Sequence, residues 1–155
     1  MERVSASAQP RAGAARVEHS PGALEVGIGV FALLQLALAV WMVAAPHSFY
    51  TAVGPFDVYN GHYIRDVATF YAALGVGLAL SLRRPSWRVP ALAITTVQYG
   101  LHSVNHLFDI ANAHPQWTGY LDFFSLAAAT LLLAWLTRVA AAQANVPASD
   151  PRRPR

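Results

Sequence analysis

Four runs of mainly apolar residues divide the chain, at about 23–45, 63–82, 89–110 and 120–141, each bounded by proline, glycine or a polar turn. A hydrocarbon core is crossed by about 20 apolar residues in a helix, and each run meets that length. The pattern predicts an all-α integral membrane four-helix bundle, with one membrane domain over residues 23–142. The first run exceeds the roughly 7–15 apolar residues of a signal peptide and reads as an uncleaved helix. Residues 1–22 and 143–155 are rich in Ala, Pro, Ser and Arg without apolar periodicity, which predicts disordered tails.

The charges orient this bundle. The net charge is +3, and arginine alone supplies the basic residues, because the chain has no lysine. Arg3, Arg11 and Arg16 precede the first run, Arg83, Arg84 and Arg88 lie between the second and third, and Arg138, Arg152, Arg153 and Arg155 follow or end the fourth. Only Arg65 falls on the other side, so the positive-inside bias places both termini and the middle loop in the cytoplasm. The basic excess is topological, and nucleic-acid binding is not expected. The absence of cysteine removes disulfides, thiolate metal ligands and dithiol exchange from consideration.

Ionisable groups inside such segments are expensive, and they point to function by default. His62, Arg65, Asp66, His102, His106 and Asp109 interrupt the second and third runs, all toward the predicted outer end. In the third run Thr95, Gln98, His102, Asn105, His106 and Asp109 fall within an arc of about 100° on a helix. That face should turn toward the bundle interior or a wet cavity. His102 and His106, at i and i+4, can bring two imidazoles to one point, as can His62 and Asp66 in the second run. If the second and third helices pack as an antiparallel hairpin, His62 stands level with His106 and Asp66 with His102. Those four nitrogen and oxygen ligands would suit zinc, iron or, through the histidines, haem. Arg65, Gln98, Asn105 and Asp109 would then surround and orient the ligands.

Two other readings stay open. The same groups would serve a non-enzymatic bundle, or a subunit of a membrane complex, as a structural hydrogen-bond network at about 0.6 kcal/mol per bond, or as a proton path. Alternatively Tyr63, Phe70 and Tyr99 would line a quinone headgroup pocket beside His102. No catalytic residue can be named. Asp122 reads as a first-turn dipole partner of the fourth helix, and Glu25 has the same role at the start of the first. Asn60 reads as the N-cap of the second helix. Ala73 and Gly77 form a small-xxx-small pair that admits a close helix neighbour, either within the chain or in a homo-oligomer.

Asn60-Gly61-His62-Tyr63-Ile64-Arg65-Asp66, followed by His102-Ser103-Val104-Asn105-His106, resembles the N-x-H-x-x-R-D and H-x-x-x-H pattern of uncharacterised actinobacterial four-helix membrane proteins. More distantly, the size and helix count are similar to the DoxX-like group. The first resemblance implies a four-helix bundle in a bacterial plasma membrane, and the second implies a quinone-linked redox role.

Overall fold

The computed structural model describes residues 22–56 and 58–145. The predicted tails lie almost wholly outside these residues. Five α-helices account for most of the described chain: α1 Ala23–Ala44, α2 Pro46–Ala52, α3 Gly61–Arg83, α4 Arg88–Asp109 and α5 Gln116–Ala144. Short 3₁₀ turns at Pro85–Trp87 and Ile110–Asn112 join α3 to α4 and α4 toward α5. The fold is all-helical, and α1, α3 and α5 are long and apolar enough to cross a membrane. At 22 residues α4 equals α1 in length, but the polar residues from Gln98 to Asp109 dilute its apolar character.

Local chemistry explains the ends. The Asn60 side chain accepts hydrogen bonds from the backbone N–H of His62 (3.1 Å) and Tyr63 (3.3 Å), the N-cap expected from sequence. Pro46 occupies the first turn of α2, where its missing donor is harmless. This helix lies between the first two apolar runs, and its Phe49 packs edge-on against Trp41 at 5.6 Å. Helix α5 starts at Gln116, four residues before the apolar run, with the Thr118 hydroxyl donating to the Pro115 carbonyl.

Helix pairing departs more from expectation. The principal packing runs along α1 with α3 and α4 with α5, while α3 and α4 touch more sparsely despite their short connection. Gly75 makes the first pair close: a β-carbon there would lie 2.8 Å from Leu36 Cγ and 3.2 Å from the Ala32 carbonyl oxygen. Ala73 is exposed and Gly77 faces open space, so the predicted small pair is not used within the chain. The second pair is held partly by hydroxyl contacts, Thr96 to Thr137 at 3.1 Å and Ser103 to Thr130 at 3.3 Å.

The two pairs join through a core at the end away from α2. Ile28, Leu78, Leu92, Leu133 and Leu136 are fully buried there. Glu25 Oε1 meets Arg88 Nη1 at 2.8 Å, so Glu25 ties α1 to the start of α4 as well as standing in the first turn of its own helix. Above this core the Tyr99 hydroxyl donates to Gln35 Oε1 at 3.3 Å, linking α4 to α1. Beyond that bond, toward α2, the pairs separate.

Candidate functional site

The separated ends enclose a cavity of about 420 Å³, and every α-helix contributes to its wall. From α1 come Leu34, Leu38 and Met42, and α3 adds Tyr63, Ile64, Val67 and Tyr71. Phe49 of α2 and Phe56 just beyond it line the end nearest α2. Tyr99, His102 and His106 of α4 face Asp122, Ser125, Leu126 and Ala129 of α5. The wall is mainly apolar, with its ionisable groups gathered at His102, His106 and Asp122.

One turn of α4 stacks the two imidazoles, with centroids 4.8 Å apart and planes 22° from parallel. Their Nε2 atoms lie 3.0 Å apart, so one ring donates and the other accepts. The Phe56 ring meets His106 edge-on at 5.1 Å. Phe56 is itself fixed by an antiparallel backbone bridge to Ala113, which ties together the two connections at this end. His106 Nδ1 and Asp122 Oδ2 are buried without hydrogen-bond partners among the described residues. Buried polar atoms in this condition call for an explanation.

The other sequence-predicted residues are placed differently. His62 Nε2 lies 3.3 Å from Asp66 Oδ2, but both side chains are largely exposed and neither lines the cavity. Helix α3 turns Ile64, Tyr71, Gly75 and Leu78 inward, which puts His62, Arg65 and Asp66 on the opposite side. The expected meeting of His62 and Asp66 with His102 and His106 therefore does not occur. Among the described residues no three His, Asp or Glu side chains gather closely enough to hold a metal ion. Arg65 is exposed and pairs with no described carboxylate. Asn105 is exposed, Asp109 accepts from Asn112 Nδ2 at 3.2 Å, and Gln98 has a buried, unpartnered Oε1. Tyr63 and Tyr99 line the cavity, whereas Phe70 is exposed on the outside of α3.

Comparison with known protein families, curated proteins and solved structures finds no match for this chain. The site is therefore read from its own chemistry.

Asp122 is the residue that sequence reasoning misplaced. With α5 beginning at Gln116 it falls in the second turn, where it faces the cavity instead of capping the helix. The signal was present: Asp122 is the only formally charged residue from Gln116 to Thr137. Together the imidazoles, the tyrosine hydroxyls and this carboxylate offer hydrogen-bond donors and acceptors at one side of an apolar chamber. That combination is chemically able to hold the polar head of a hydrophobic molecule while an apolar body covers the remaining wall.

Proposed function

We propose that this chain is a four-span protein of a bacterial plasma membrane, with both ends cytoplasmic, that binds a small hydrophobic molecule between its two helix pairs. The polar head of that molecule lies against His102, His106 and Asp122. The observation that carries this reading is the cavity itself, whose volume lies within the range of about 300–1,000 Å³ typical of ligand pockets. A quinone, as the DoxX-like resemblance implies, is one such molecule: its carbonyl oxygens would accept from an imidazole N–H. Mass spectrometry of an organic extract of the purified protein tests the reading. One hydrophobic species near one equivalent is expected from the parent chain. It should be lost from an Ala129→Phe variant of unchanged helicity, because the added ring fills the chamber. Equal amounts in both samples would sink the assignment.

A second reading concerns metal. Two imidazole nitrogens 3.0 Å apart can share one ion at about 2.0–2.1 Å from each, so zinc or iron would sit between His102 and His106 with other positions left to the cavity's occupant. Haem fits less well, because each Nε2 faces its neighbour instead of open space. Elemental analysis of the same sample decides the matter.

The four-span topology is supported by the arginine distribution and by the packing of α4 against α5, which gives several of its hydroxyls internal partners. The cysteine-free background makes it directly measurable. Ala111→Cys should react with an impermeant maleimide in intact cells, and Ser86→Cys only after permeabilisation. Both positions are exposed. Labelling of both from the same side would mean that α4 does not cross.

A further inference from the structure

We propose that the cavity's occupant is a lipophilic organic cation, an ammonium or similar head joined to an apolar body. The inference rests on the cavity reading above and adds the charge of the ligand. Among the described residues Asp122 is the one formally charged side chain in the wall, and its Oδ2 is buried without a partner. A carboxylate in such surroundings is costly unless a positive charge accompanies it. The chain's described arginines do not supply that charge: none lines the cavity, Arg88 is engaged by Glu25, and Arg65 lies on the far side of α3. His106 is the nearest alternative, but its Nε2 is shared with His102, and its Nδ1 and Asp122 Oδ2 each lack a partner among the described residues, so the two side chains form no ion pair.

The remaining wall suits the same ligand. Phe49, Phe56, Tyr63, Tyr71 and Tyr99 all contribute to one chamber. Aromatic faces attract organic cations electrostatically, and most strongly where water is excluded. An inorganic ion would leave this apolar surface uncovered. A neutral molecule would leave the carboxylate unpaired. A cation with an apolar body satisfies both at once.

The test uses detergent-purified full chain and tritiated benzyldimethyldecylammonium, read by scintillation proximity at fixed detergent concentration. N-benzyldecanamide and decylbenzoquinone serve as neutral competitors. The expected result is one saturable site, displaced by unlabelled cation at about one-tenth or less of the concentration that either neutral compound requires. Asp122→Asn should weaken the cation about tenfold or more, and by a clearly larger factor than it changes the affinity of either neutral compound, in protein of unchanged helicity. Asp122→Glu should restore much of the loss, and Ala129→Phe should abolish binding of all three compounds. If Asp122→Asn binds the cation as tightly as the parent, or a neutral compound competes equally well, the charge assignment is overturned while the cavity reading stands. If none of the compounds binds, or Ala129→Phe has no effect, the cavity reading falls and takes the inference with it.

Discussion

Gly119→Val is expected to destabilise the protein by about 1–3 kcal/mol and to loosen the α2 end of the bundle together with its cavity. A β-carbon on Gly119 would lie 2.5 Å from the Ile110 carbonyl oxygen, 3.0 Å from Ile110 Cα and 3.1 Å from Ala113 Cβ. Two of these are backbone atoms of the turn after α4, so no side-chain rotation relieves the clash. The turn must move away from α5. Ala113 would move with it, and Ala113 carries the bridge that positions Phe56 against His106. Thermal unfolding followed by circular dichroism in detergent should show a fall of several degrees. Ligand retention should fall further than stability alone accounts for. A variant that melts with the parent would mean that this corner is not closely packed.

The second large effect lies at the opposite end. Leu133→Ala removes a fully buried side chain from the cluster that includes Ile28, Leu92 and Leu136, and it should cost about 2–5 kcal/mol. Lipid tails are as apolar as leucine, so in a membrane that loss comes chiefly from missing van der Waals contacts. Leu131→Ala provides the control, because Leu131 is 73 % exposed two residues away and its truncation should stay within about 0.5 kcal/mol. Unfolding of both variants in the same detergent makes the comparison. Equal losses would place the core elsewhere.

Much of the architecture could be read from the chain. Apolar runs long enough to span are strong signals, and three of the four correspond to helices apolar enough to cross a membrane. The Asn60 cap and the stacking of His102 on His106 follow from short-range spacing, which tertiary structure did not override. What failed depended on relations between helices. A polar arc on α4 tells which face is special but not which helix it meets, and a short turn to α3 made the wrong neighbour look natural. Rotation of α3 then decided the fate of His62 and Asp66: Ile64 and Tyr71 point inward, so residues offset from them by half a turn point away. Asp122 was misread through a boundary error of four residues, enough to change a wall residue into an apparent cap. The helix from Pro46 to Ala52 was hidden because seven residues are too few to show a period.

Below His102 the molecule is sealed by Ile28, Leu78, Leu92, Leu133 and Leu136, side chains that are almost inaccessible. The chamber is thus a cup and not a pipe. A molecule in the proposed site would have no path through this core and would come and go at the α2 end or laterally, past exposed wall residues such as Leu34, Tyr63 and Val67. Such a site would hold what arrives at it and would offer no passage through the buried core to the opposite end of the bundle.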